Sequence, residues 1–196
     1  VLTNPIYLIT GDSCIFLVDT DVPNCARKDK EEIMMLAPQI EDSIIIYIAN
    51  VWDKLDKGLD LEKTIPETIN FFLKNNNKII VVYQIPHISK NDLAFNILDQ
   101  YLLENIKFGE PVIMESSKYF NESNSLRSNK IYDDIENENI YRVFTSEIIC
   151  NDILPGYCVA AMDDKIYYQD SNHLTIEGSL IIGDRIIELI ESINNE

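Results

Sequence analysis

The chain alternates between short continuous apolar runs and longer stretches with helical spacing. Residues 5–10 (Pro-Ile-Tyr-Leu-Ile-Thr) read as a short buried strand. Ser43 to Ala49 (Ser-Ile-Ile-Ile-Tyr-Ile-Ala) is β-branched and unbroken, the signature of a strand covered on both faces. Lys78 to Gln84 is a third such run, closed by Pro86, and Ile140 to Phe144 is another. Between them lie helical patterns. One is expected to begin within 13–19, and a second covers 28–37 with Met34, Met35 and Leu36 as its apolar part. A third runs from Thr64 to about Lys74, with Thr64 and Glu67 spaced as a capping box and Pro66 in the first turn. Asn75-Asn76-Asn77 predicts a turn. Ser89 caps a helix to about Asn105, with Leu93, Ile97, Leu98, Tyr101 and Leu102 inward.

The second half is less regular. Gly109-Glu110-Pro111 reads as a break, Val112 to Met114 as a short strand, and roughly 123–137 as a helix. Tyr157 to Met162 and Lys165 to Tyr168 flank Asp163-Asp164, which predicts a hairpin. Thr175 caps a last helix, with Leu180, Ile186, Ile187, Ile190 and Ile193 expected along one inward face. Alternating strands and helices predict a three-layer α/β/α sandwich with a mainly parallel sheet. With no repeat and no linker, residues 1–196 read as a single domain.

Composition narrows the partners. Sixteen basic residues against thirty-three acidic ones give a net charge of -17, which phosphate backbones repel, so nucleic acid is not an expected partner. No apolar run reaches membrane-spanning length. The chain begins with Val1 and reaches a strand at once, which reads as a piece of a longer protein or a mature form. The four cysteines, Cys14, Cys25, Cys150 and Cys158, lack the paired spacing of a zinc site, so no metal is expected. Cys150 and Cys158 bracket a Pro155-Gly156 turn that could join their sulfurs, which would favour an oxidising compartment; two buried thiols are the other reading. Cys14 and Cys25 are a weaker candidate pair.

Candidate chemistry sits just past the strand ends, where open parallel sheets place their sites. Gly11-Asp12-Ser13 follows the first strand, Asn50 and Trp52 follow the second, His87 the third, and Asp170-Ser171-Asn172-His173 precedes the last helix. A serine hydroxyl is a weak nucleophile until a base takes its proton, and imidazole suits that role near neutral pH. A carboxylate holds the imidazole in one tautomer. Asp170 and His173 lie on one tight turn, so a single loop delivers both. His87 and His173 are the only histidines; His87 reads as structural or as rim. The Ser13 backbone N–H and Asn50 are candidate oxyanion donors, and Trp52 could wall the site or hold an acyl group.

This arrangement resembles the SGNH (GDSL-like) hydrolase superfamily, which carries Gly-Asp-Ser after strand one and Asp-x-x-His before the final helix. The closer likeness is to the SGNH domains fused behind the membrane domain of family-three acyltransferases. There the last block resembles Tyr-x-Asp-x-x-His-Leu-Ser/Thr-x-x-Gly, matched here from Tyr168 to Gly178, and a cysteine pair precedes it, matched by Cys150 and Cys158. Ala49-Asn50-Val51-Trp52 is similar to the Ala-x-x-Trp after the second strand in that group. The superfamily's block-two glycine has no counterpart, since no glycine lies between Gly11 and Gly58, and Gly-x-Asn-Asp is absent.

The resemblance implies a flavodoxin-like SGNH hydrolase sheet, the catalytic set Ser13, Asp170 and His173, and no cofactor in this domain. It implies an extracytoplasmic O-acyltransferase domain that moves an acetyl or other short acyl group to a cell-surface glycan through a seryl ester. The acyl donor would come from a membrane domain of the same protein. A free-standing carbohydrate esterase and a non-catalytic glycan-binding module are the alternatives.

Overall fold

The computed structural model describes residues 4–9, 15–22, 27–49, 51, 58–86, 109–115, 123–170 and 173–195. The contacts group the chain into two units. One comprises 1–84, 127–143 and 188–196; the other comprises 85–126 and 144–187.

The first unit is built on a parallel sheet. Strands β1 (Ile6–Ile9), β2 (Ile44–Ile48), β3 (Lys78–Val82) and β5 (Ile140–Val143) lie in the order β1-β2-β3-β5, every pairing parallel. The parallel α/β character therefore agrees with the reading of the sequence. Ile44, Ile45, Ile79 and Ile80 are fully buried, so successive residues are covered on opposite sides of the sheet. The core joins Ile45, Tyr47, Ile79 and Val81 to Ile65, Ile69 and Phe72 of helix α2 (Leu61–Phe72), and to Ile131 and Tyr132 of helix α3 (Ser123–Asp133).

The predicted helix over 28–37 is α1 (Arg27–Leu36), followed by a 3-10 turn at Ala37–Gln39. The helix expected to begin within 13–19 is not seen in residues 15–22, which are irregular with a turn at 18–19. Ile15, Leu17 and Val18 are buried there, and the Val18 N–H donates to Thr68 Oγ1 at 3.0 Å instead of to a helical carbonyl. Helix α2 starts three residues before the expected Thr64 cap. Burial of Leu61 (3% exposed) one turn ahead of Ile65 extends the helix, so Pro66 sits inside it and not in its first turn. The Thr64 and Thr68 hydroxyls donate to the carbonyls of Asp60 and Thr64. The asparagine turn is as expected: Asn75 and Asn76 take positive φ, which asparagine tolerates. Asn77 is a buried staple. Its amide donates to the carbonyls of Ile40, Phe72 and Lys74, and its Oδ1 accepts from the Ser43 N–H. The predicted helix over 89–105 lies outside the described residues.

The second unit carries an antiparallel sheet, β4 (Gly109–Glu115), β6 (Tyr157–Asp163) and β7 (Lys165–Ile166), in the order β4-β6-β7. Gly109-Glu110-Pro111 was expected to break the chain and instead opens β4. The register shifts on either side of Val112 absorb a proline that cannot donate to a ladder. The Asp163-Asp164 hairpin turn is present, with Asp163 at φ 57°. A short helical turn (Thr145–Glu147) runs into a π-helical stretch (Ile148–Asp152) ahead of β6.

Helix α4 (Ile176–Asn194) departs from the expected single inward face. Gly178, Ile182, Ile190 and Ile193 are buried, whereas Leu180 and Ile187 are more than half exposed. The apolar positions are too many for one stripe and divide between two sides of the helix.

Candidate active site

The Asp170–His173 turn is assembled from the residues around it. At its start the Ala160 carbonyl of β6 accepts N–H bonds from Tyr167 (2.8 Å) and Tyr168 (3.2 Å), which fastens the incoming chain to the sheet. Tyr168 is fully buried, and its hydroxyl donates to the Pro86 carbonyl at 2.9 Å. An antiparallel bridge from Tyr168 to Leu174 pinches the turn, and the Gln169 N–H donates to the His173 carbonyl at 2.8 Å. On the outgoing side the Thr175 N–H donates to the Tyr167 carbonyl at 2.9 Å. Thr175 is the helix cap expected from the sequence: its Oγ1 accepts from the Gly178 N–H at 3.2 Å. The same hydroxyl donates to the Ile166 carbonyl.

Gly178 is held there by space. A Cβ at this position would stand 2.2 Å from the Tyr167 carbonyl oxygen and 3.1 Å from Leu174 Cδ2. Helix α4 can approach the chain before the turn this closely only because that position has no side chain.

Within the turn, Asp170 does two things. Its Oδ1 accepts the His173 backbone N–H at 2.8 Å, and its carboxylate faces His173 Nδ1, with Oδ2 at 2.8 Å and Oδ1 at 3.0 Å. An ionised carboxylate only accepts, so the neutral ring carries its proton on Nδ1 and the lone pair on Nε2. The His173 side chain is 69% exposed and that of Asp170 32% exposed. The arrangement presents an oriented base to solvent, backed by a partly sheltered acid.

The Cys150–Cys158 disulfide is present and links the π-helical stretch to β6. Both residues are fully buried, and Cys158 lies two positions before Ala160, whose carbonyl anchors the turn. Closing an eight-residue separation constrains the unfolded chain and contributes roughly 2–3 kcal/mol in the chain-entropy model.

Of the predicted site residues, the structure brings Asp170 and His173 together. Ser13, Asn50 and Trp52 lie outside the described residues, as do Gly11, Asp12 and His87. Among the described residues, no group of three or more His, Cys, Asp or Glu is placed to hold a metal ion, and no helix is long and apolar enough to cross a membrane. Reading residues for their chemistry missed the supports of the turn: Tyr168, Thr175 in its second bond, and Gly178. The signal was present in the sequence: Tyr168, Thr175 and Gly178 are the Tyr, Ser/Thr and Gly positions of the block that resembles the fused SGNH domains.

Comparison with curated proteins and with solved structures gives no match. A family model does match, that of the SGNH domain fused to AT3 domains, over residues 3–188. That span includes the turn and its supporting β6, β7 and most of α4. The chain therefore belongs to the family of SGNH domains fused to AT3 domains, an acyltransferase-associated branch of the SGNH hydrolases.

Proposed function

We propose that this domain transfers an acetyl or other short acyl group to a hydroxyl of a cell-surface glycan through an ester on Ser13. The single observation that carries the reading is the clamp of Asp170 on His173 Nδ1, which leaves Nε2 as the free base. In the first half-reaction the Ser13 hydroxyl attacks the acyl carbonyl, and its proton passes to His173 Nε2. The bond to the donor's leaving group breaks, and that group departs with the proton. In the second half a sugar hydroxyl attacks the seryl ester and gives its proton to Nε2, and Ser13 is released with its hydroxyl restored. Asp170 stabilises the imidazolium formed in each half. The Ser13 N–H and Asn50 would serve the oxyanion, with Trp52 beside the acyl group. No cofactor enters this scheme.

The family supports a donor delivered by a membrane acyltransferase domain. The disulfide supports an oxidising, extracytoplasmic location. Water competes with the sugar for the same seryl ester, so esterase activity is the same chemistry with another acceptor. The test is incubation with an activated acetyl ester followed by peptide mass spectrometry. An added acetyl group on Ser13 is expected, absent from Ser13→Ala and both slow to form and slow to turn over in His173→Ala. Equal labelling of the Ser13→Ala protein would remove the proposal.

A further inference from the structure

Helix α4 carries an apolar seam that the site does not use. Ile176, Leu180, Gly183 and Ile187 follow one another at spacings of four, three and four, the a/d rhythm of a helix that packs on another helix. Ile176 is 80% exposed, Leu180 55% and Ile187 54%, so the seam faces outward. A groove of about 340 Å³ runs along it from Leu174 to Ile187. A Cβ at Gly183 would meet nothing within 4 Å, so the middle of the groove is open down to the backbone. The seam is roughly 16 Å long, three helical turns.

Charge selects the occupant. In this heptad frame the position next to the seam is Glu177, then Asp184, then Glu191, acidic at every repeat. Arg185, the one basic residue of α4, is turned to Asp152 at 3.4 Å. A second copy would set acidic rows against each other, on a chain whose net charge is already -17. An anionic membrane surface is repelled for the same reason. A partner helix with aliphatic residues facing the seam and Lys or Arg beside Glu177 and Asp184 fits both features. Three turns of helix bury well below the roughly 1,000 Å² that a stable free complex needs. A tether raises the effective concentration to the millimolar range and makes so small an interface sufficient. The family to which the chain belongs is one of fused domains.

We infer that the Ile176–Ile187 seam of α4 docks a basic amphipathic helix supplied by the acyltransferase part of the same protein. The test uses the full-length protein in its membrane, with a photo-crosslinking amino acid in place of Leu180 and, as control, in place of the exposed Asp164. Irradiation is expected to join position 180 to a Lys- or Arg-rich segment of the same polypeptide outside residues 1–196. The yield should fall about tenfold when Glu177→Lys and Asp184→Lys are combined, both at exposed positions. It should persist in Ser13→Ala, which separates docking from the proposed chemistry. Crosslinks to a second copy, to lipid or to another protein would overturn the inference. So would no crosslink, equal yield from position 164, or indifference to the charge reversal.

Discussion

Adding one methyl group at two positions of α4 should have opposite effects. At Gly183 a Cβ meets nothing within 4 Å, and alanine replaces a residue that costs a helix interior about 0.5–1 kcal/mol. Gly183→Ala should therefore stabilise the protein by about that amount, a rise of roughly 2–4 °C per kcal/mol for a chain of this size. At Gly178 the same Cβ would stand 2.2 Å from the Tyr167 carbonyl oxygen and 3.0 Å from its carbon. Relief of that overlap requires a backbone displacement on the order of 1 Å, because both neighbours are main-chain atoms. The Tyr167 carbonyl also accepts the Thr175 N–H, so that bond stretches as the chain moves. Overpacking of this kind costs about 1–3 kcal/mol, and a weakened hydrogen bond about 0.5–1.5 more, against the propensity gain of up to about 1 kcal/mol. Gly178→Ala should lose about 0.5–4 kcal/mol net. The displaced segment leads into Asp170, and a misplacement near 1 Å costs about a hundredfold in rate. Thermal unfolding and turnover of an activated acetyl ester, run side by side, test both effects. A Gly178→Ala protein as stable as Gly183→Ala, or one that keeps full turnover, would refute the reasoning.

Three further outcomes follow from the same geometry. Asp170→Asn keeps an acceptor for the His173 backbone N–H but no longer stabilises the imidazolium, so ester turnover should fall by up to about 10⁴-fold while the melting temperature moves little; turnover within a few-fold of wild type would contradict the role given to Asp170. Replacing both Cys150 and Cys158 by serine should lower stability by roughly 2–3 kcal/mol, read by urea unfolding, and an unchanged midpoint would mean the bond constrains nothing. Burial raises the phenols of Tyr47, Tyr83 and Tyr132 above the ordinary tyrosine value of 10.0, and Tyr83 also donates to Asp133 Oδ1 at 2.5 Å. Their folded-state values exceed their unfolded ones, so this stability is complete below pH 10 and declines above it as the unfolded chain loses protons. Each such phenol steepens the decline by up to about 1.4 kcal/mol per pH unit. Tyr83→Phe should make the alkaline unfolding curve shallower, and an identical slope would count against the assignment.

Under the proposed chemistry the Asp170–His173 pair would serve transfer as much as hydrolysis. The His173 side chain is 69% exposed, so the proposed base would be open to a sugar hydroxyl as well as to water. Assays with and without glycan acceptor would read that competition directly.

Local pattern determined much of this protein. The short β-branched runs at Ile44–Ile48 and Lys78–Val82 read as strands covered on both faces, and the parallel sheet buries most of their residues so. The asparagine turn, the Thr175 cap, the Cys150–Cys158 bridge and the Asp170–His173 contact each close over at most eight residues. Such short spacings bring the partners together whatever lies beyond. Tertiary structure decided what local pattern leaves open. Whether α2 begins at Leu61 or at Thr64 depended on a core that receives Leu61. Whether 109–111 breaks or pairs depended on β6 lying alongside. Helix α4 has more apolar positions than one face can hold, and only its neighbours settle that Ile182 and Ile193 turn inward while Leu180 and Ile187 remain outside. Gly178 shows the same division. Its place in a helix is written in the surrounding residues, but its necessity comes from a carbonyl eleven positions earlier in the chain, which only folding brings against it.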